Sequence, residues 1–200
     1  VPLVYASSSS LYGNSELGDD MSKSVDLLSP YAVDKYSMEL YSDVANKSYG
    51  LSSIGLRFLN VYGPRQDPSS QYSGVISIFI DRLKKGKKIK INGGYQTRDF
   101  VFVSDVVNII EKSINLIKSK TLSERVNVLT GDTYTINTLL QILSSSLNKS
   151  AIIDQRDLPC GDPERSDGTI EKMCQLFAID LKKMVGLNLG LEKTINFGDE

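Results

Sequence analysis

Apolar positions along this chain form two alternating patterns. Short dense runs rich in Val, Ile, Leu, Phe and Tyr recur at Val1–Ser7, Ser53–Asn60, Lys88–Ile91, Asp99–Val103, Val126–Thr130 and Ala151–Asp154, and each predicts a strand. Longer stretches with apolar residues three and four apart fall between them and predict helices. The first runs from Pro30 to about Ser48, with Ser29 as N-cap, Pro30 at the first helical position and Gly50 as the stop. Further helices are expected over Val75–Lys85 with Gly86 behind, over Asp105–Lys118 with Ser104 as cap, and from Thr135 to about Leu147. Ser8–Leu28 and Gly63–Gly74 read as polar loops. After Pro159 the chain reads as loop, with helices near Asp180–Val185 and Leu191–Phe197. Strands alternating with helices predict an α/β fold with a largely parallel sheet.

Composition narrows the function classes. The chain has 200 residues, enough for one domain or two small lobes, and is 40% hydrophobic and 24% charged. Its net charge of −1 argues against a dedicated nucleic-acid binder. It has no apolar run of about 18 residues, so no membrane-spanning helix is expected. Cys160 and Cys174 lack metal or redox spacing, and a reduced, cytoplasmic protein is the expectation. With no histidine, Ser-His-Asp catalysis, Cys-His catalysis and His-containing zinc sites are all excluded, and no metal is expected. Acid–base chemistry must then use Tyr, Lys, Asp, Glu, Cys or Ser. The sequence opens on a core strand without a lead-in, which suggests the C-terminal portion of something longer.

Three features stand together. The first strand ends in Ser7-Ser8-Ser9-Ser10, Tyr31-Ala32-Val33-Asp34-Lys35 opens the first helix, and the next strand ends at Asn60. Tyr31 and Lys35 are four apart, so they share a helix face. A free phenol is a poor base at neutral pH, and a neighbouring ammonium favours its ionised form. A serine hydroxyl at a strand end can share a substrate hydroxyl with such a tyrosine. That arrangement suits proton removal from an alcohol while hydride leaves its carbon to a cofactor. A Tyr–Lys pair alone reads equally as an ordinary surface helix; its conjunction with the serine run and the Asn-terminated strand points to chemistry.

The segments YASSSSLYG, SPYAVDKYSMELY, YGLSSIGLRFLNVYGPRQDP and TRDFVFVSDVV resemble the extended short-chain dehydrogenase/reductase superfamily over nearly the whole chain. Within it they are similar to NAD-dependent nucleotide-sugar 4-epimerases acting on UDP-N-acetylglucosamine and its uronic acid. The resemblance implies part of a Rossmann-like sheet (1–62 and 96–130) and a smaller α/β lobe for the nucleotide sugar (63–95 and 131–200). It implies Tyr31 as the base at the sugar 4-hydroxyl, with Lys35 binding the nicotinamide ribose and Ser8 bonded to the same sugar oxygen. Ser9 and Ser10 would line the sugar pocket, and Phe58 would lie beside the nicotinamide. Asn60, Gly74 and Val75 would hold the UDP end, and Arg98 would clamp the diphosphate. The partners implied are NAD, a UDP-sugar and a second copy of the chain met through the Tyr31–Ser48 helix.

The serine run bears on reaction type. Dehydratase relatives place Asp and Glu after the catalytic hydroxyl, and decarboxylating relatives place a Glu there; Ser9 and Ser10 occupy those positions here. Epimerisation is therefore favoured over the alternatives of a dehydratase, decarboxylase, reductase or non-catalytic sugar-nucleotide-binding remnant. Two departures stand out. The glycine-rich turn that holds the NAD pyrophosphate is missing from the sequence, and Gly93-Gly94 does not replace it. No arginine stands just before Gly161, leaving Arg156 or Arg165 to contact the second phosphate. The six positive charges of Arg82–Lys90 read as a solvated helix end, and Asp99 and Asp105 as turn or cap residues.

Overall fold

A computed structural model describes residues 1–70 and 73–197. Gln71 and Tyr72, inside the expected Gly63–Gly74 loop, lie outside the described residues. The α/β expectation holds, with strands β1 (Leu3–Ser8), β2 (Ser53–Phe58) and β6 (Ser123–Val128) forming a parallel sheet in the order β1-β2-β6. In register, Ser7 lies opposite Arg57, and Arg57 opposite Asn127. The period of two along a strand then gives the sheet two different faces. Ile54, Leu56, Val126 and Val128 turn to an apolar cluster under α3 (Val103–Ser119) and α5 (Glu171–Phe177). Ser7, Arg57 and Asn127 turn the other way, into a buried polar layer beneath α1 (Pro30–Tyr49).

That polar layer is fully connected. Glu39 of α1 takes two bonds from Arg57 (Nε–Oε1 2.9 Å, Nη2–Oε2 2.7 Å) and one from Ser7 Oγ at 2.6 Å. Arg57 Nη1 also donates to Tyr12 Oη, and that hydroxyl donates to Asn127 Oδ1 at 2.6 Å. Asn127 Nδ2 reaches the carbonyls of Gly18 and Thr169, and its backbone N–H reaches Asp20 Oδ2. Burial pushes the Tyr12 phenol up to about 12, so it stays neutral and can both accept and donate. Helix α1 itself begins and ends as expected: Ser29 Oγ accepts from the Ala32 N–H, and Gly50 closes the helix at φ 65°.

A second apolar cluster joins α2 (Val75–Lys84), α4 (Ile136–Leu147) and α6 (Leu187–Ile195) to β3 (Asn60–Tyr62), β4 (Ile89–Asn92) and β5 (Thr97–Phe102). The structure departs from expectation at several points. The expected strand Ser53–Asn60 is two strands, because β2 leaves its neighbour β6 after Phe58 and Asn60 starts β3 against β5. Beside the β1-β2-β6 sheet the described residues form two further sheets, with β3, β5, β7 (Thr133–Thr135) and β9 (Arg165–Ser166) in one and β4 with β8 (Ile153–Arg156) in another. Strands as short as β7 and β9 show no alternation over 4–8 residues, so the pattern misses them.

Ser104 is no cap. Helix α3 starts one residue before it, and Asp105 in the first turn instead accepts the distant Val185 N–H at 2.9 Å. The expected Asp180–Val185 helix shrinks to a three-residue turn at Leu181–Lys183, while α5, with only Met173 and Phe177 buried, was not expected. Ser9–Tyr12 forms a short 3₁₀ turn inside the expected polar loop.

Two outcomes follow from this packing. A Cβ at Gly190 of α6 would overlap Tyr62 Oη, and Tyr62 is held edge-on between Phe100 and Phe102. Gly190→Ala therefore lowers stability by about 1–3 kcal/mol in urea unfolding despite its helix propensity, and Tyr62→Phe recovers part of the loss. The buried Asp99 carboxylate accepts from Thr130 N–H, Thr130 Oγ1 and Gly131 N–H, yet burial still raises it from 3.8 to about 6. The folded chain thus holds that proton more tightly than the unfolded chain. Stability from Asp99 is present below about pH 4 and lost as pH rises through 6. The Thr130 hydroxyl favours the charged form, so Thr130→Val costs about 1–3 kcal/mol above pH 6 and less as pH falls towards 4. A pH-independent loss would show that Asp99 is not the group it serves.

Candidate active site

The C-terminal ends of β1 and β2 open onto a cleft of about 290 Å³. Its inner wall is the serine run. Ser8 is extended and buried, and its Oγ accepts from the Ser10 N–H at 3.1 Å, starting the turn that carries Ser9 and Ser10. Ser10 lines the cleft, and its Oγ is buried without a hydrogen-bond partner among the described residues. A buried hydroxyl left unmatched costs about 1–3 kcal/mol, so it marks a place where a polar ligand atom is wanted.

Phe58, at the end of β2, and Asn60, at the start of β3, line the same cleft. The Asn60 side chain donates to the Asp99 carbonyl at 2.9 Å and ties β3 to β5. Arg98, on β5, is mostly buried and donates to Asp162 Oδ1 at 2.6 Å and to the Thr97 carbonyl at 2.8 Å. Burial lowers its pKa and Asp162 opposes that shift.

The cleft therefore gathers Ser8, Ser9, Ser10, Phe58, Asn60 and Arg98, six of the residues expected from sequence. Tyr31, Lys35, Gly74 and Val75 are not among its lining residues. Tyr31 is 51% exposed, one residue after Pro30 at the start of α1, and its neighbour Ser29 does line the cleft. Lys35 Nζ donates to the Ala6 carbonyl at 2.9 Å and lies 5.6 Å from the Tyr31 ring centroid. The i, i+4 spacing thus brings the pair together at the end of β1. Gly74 and Val75 start α2, where Gly74 is the N-cap.

The outer wall was only partly foreseen. Gly161, Asp162, Pro163, Arg165, Ser166 and Asp167 all face the cleft. Arg165 is on it, paired with Asp167 at 2.7 Å, whereas Arg156 on β8 pairs with Asp154 and is not a lining residue. Backbone bonds between Gly18 and the 167–169 segment bring this wall in, at a sequence separation that no local pattern reports. Gly93 and Gly94 lie in the turn between β4 and β5, with a strand and not a helix behind them.

Comparison with known proteins bears on this geometry. The model of the NAD dependent epimerase/dehydratase family matches residues 1–128. A putative UDP-glucose 4-epimerase of Methanocaldococcus jannaschii is 40% identical over 148 residues, covering 72% of this chain and 47% of that protein. A UDP-glucuronate 4-epimerase of Thermodesulfobacterium geofontis is 30% identical over 202 residues, covering 99% of this chain and 59% of that one. A solved UDP-N-acetylglucosamine 4-epimerase from Methanobrevibacter ruminantium, in complex with UDP-N-acetylmuramic acid, superposes with a TM-score of 0.84 at 34% identity. That superposition covers 98% of this chain and 63% of that structure. The chain spans about half the length of the curated relatives it matches first. With the family model covering more than half of its residues and the serine run, Tyr31–Lys35 pair and cleft arginine all in the matched part, the chain belongs to the NAD dependent epimerase/dehydratase family of the extended short-chain dehydrogenase/reductases.

Proposed function

We propose that this chain provides the sugar-nucleotide cleft and the proton-transfer group of an NAD-dependent UDP-sugar 4-epimerase, with a UDP-N-acetylhexosamine as substrate. The observation that carries the reading is a cleft lined by Arg98 and by Ser8, Ser9 and Ser10, where the buried Ser10 hydroxyl has no partner among the described residues. One region asks for hydroxyl-bearing ligand atoms and another supplies a guanidinium suited to a diphosphate. The residues also fit the nicotinamide-ribose end of NAD. Lys35 Nζ uses one donor on Ala6 and carries two more, and Phe58 offers an aromatic face at the end of a parallel strand. When bound, NAD supplies hydride removal and return at C4.

The chain's own groups do the rest. Tyr31 takes the proton from the sugar 4-hydroxyl and later returns it, and the neighbouring Lys35 ammonium balances the charge of the phenolate that does so. Ser8 holds the sugar oxygen, and Ser9 and Ser10 bind the ring while allowing it to turn. Arg98 exchanges Asp162 for the diphosphate, and Arg165, not Arg156, supports the second phosphate. Asn60, Gly74 and Val75 complete the UDP end. No carboxylate stands at positions 9 and 10, which favours epimerisation over water elimination or decarboxylation. The cofactor lobe of this reading comprises 1–62 and 96–130, and the sugar-nucleotide lobe 63–95 and 131–200. The two apolar clusters follow that division in part: Met173 and Phe177 join the first lobe's cluster, and Tyr62, Phe100 and Phe102 join the second lobe's.

Helix α1 leaves Val33, Leu40, Tyr41 and Val44 exposed on its outer side, and we assign that stripe to a homodimer contact. Sedimentation of the wild type as a dimer and of Val44→Glu as a monomer is the expected result; a monomeric wild type would remove the assignment. For the chemistry, calorimetric titration should show UDP binding to wild type and Tyr31→Phe with affinities within about twofold, because the phenol is not at the UDP end. NAD-dependent interconversion of UDP-GlcNAc and UDP-GalNAc should disappear in Tyr31→Phe. Conversion at the wild-type rate would take Tyr31 out of the mechanism, and absence of UDP binding would overturn the cleft assignment.

A further inference from the structure

Tyr31, Lys35 and Glu39 stand at i, i+4 and i+8 on α1, and the last two reach β1. Each of the last two touches a consecutive residue of that strand. Lys35 Nζ is on the Ala6 carbonyl, and Glu39 Oε1 is on Ser7 Oγ, immediately before Ser8. The lysine contact sits at the surface, on a flexible stem. The glutamate contact is different: Glu39 and Arg57 side chains are 2% and 3% exposed, and the guanidinium grips both carboxylate oxygens. Arg57 comes from the strand residue directly opposite Ser7, and its remaining nitrogen holds Tyr12, the last residue of the turn that carries Ser9 and Ser10.

A single buried pair therefore bonds to the helix of Tyr31, to the strand of Ser8 and to the turn of Ser9 and Ser10. Apolar packing alone would allow α1 to rotate or slide against the sheet; a two-toothed ion pair with directional hydrogen bonds does not. We infer that Glu39, clamped by Arg57, is a positioning residue that fixes the rotation and register of α1 against β1, and so sets Tyr31 and Lys35 relative to the serine-lined end of the cleft. This rests on the proposed sugar-nucleotide reading of the cleft. Arg125, Asp43 and Lys172 also surround the outer side of Glu39, but Arg125 approaches it at 3.5 Å without the two-point geometry.

The test separates positioning from mere folding by reading two ends of one ligand. Saturation-transfer NMR on UDP-N-acetylglucosamine bound to the whole chain reports protein contact at the sugar H4 and, separately, at the uracil H5. Wild type should show both signals. Glu39→Gln keeps the size but removes the charge, and the sugar H4 signal should fall about threefold relative to uracil H5 while UDP affinity stays within about twofold. Ser7→Ala leaves the ion pair intact and removes only its link to β1. It should move the ratio the same way by a smaller amount, and it decides the matter alone if Glu39→Gln does not fold. Glu39→Asp, which keeps the charge, should recover part of the ratio.

An unchanged ratio in both Ser7→Ala and a folded Glu39→Gln overturns the inference. Equal loss of both signals overturns it as well, because the pair would then be a stability element only. A wild type giving neither signal overturns the sugar-nucleotide reading itself.

Discussion

Arg57 and Glu39 are held out of water between a helix and a sheet, where each would be a costly buried charge without the other. A buried ion recovers its lost hydration only when geometry is good and its other donors and acceptors are matched. In this chain they are: Ser7, Tyr12 and Asn127 extend the pair into a chain of hydrogen bonds, and Asn127 carries it to Gly18, Asp20 and Thr169. The rest of the cleft depends on that chain. It joins α1, β1, β2 and β6 to the Gly18 loop and to the C-terminal segment bonded to that loop, both of which line the cleft.

This also explains why the sheet has such different faces. The apolar face under α3 and α5 supplies cohesion, which is tolerant of small shifts. The polar face under α1 supplies direction, because a hydrogen bond is lost within a few tenths of an ångström and tens of degrees. The proposed proton-transfer pair, Tyr31 and Lys35, sits on the directional side, on α1. A proton transfer needs its donor and acceptor held within narrow limits, and a polar layer holds them better than packing alone.

The cleft residues carried on local segments, and the Tyr31–Lys35 pair on α1 outside its lining, were legible early. Ser8 to Ser10 and Phe58 to Asn60 stand out at the ends of apolar runs, and Tyr31 and Lys35 belong to a helix whose identity follows from capping and spacing. Family resemblance then supplied their expected roles. Gly161 to Asp167 was far less legible. Its residues reach the cleft through a bridge between Gly18 and Gly168, 150 positions apart, and through the pairing of two-residue β9 with β5. The choice between Arg165 and Arg156 could not be made from spacing; it followed once β8 carried Arg156 away to the sheet with β4.

The sequence by itself determined most of the longer helices and strands, where α1 begins and ends, that the fold is α/β, and which residues could do acid–base chemistry without histidine. Those follow from side-chain periodicity, capping and composition, which act over a few residues. Only the tertiary structure decided that Glu39 and Arg57 lie buried as a pair, that Asp99 and Asp105 bond across the fold to Thr130 and Val185, that β2 hands over to β3 at Leu59, and which arginine faces the cleft. Each of these is a contact between residues brought together by the whole fold, where burial sets the strength of charge and hydrogen bonding and no local pattern carries that information.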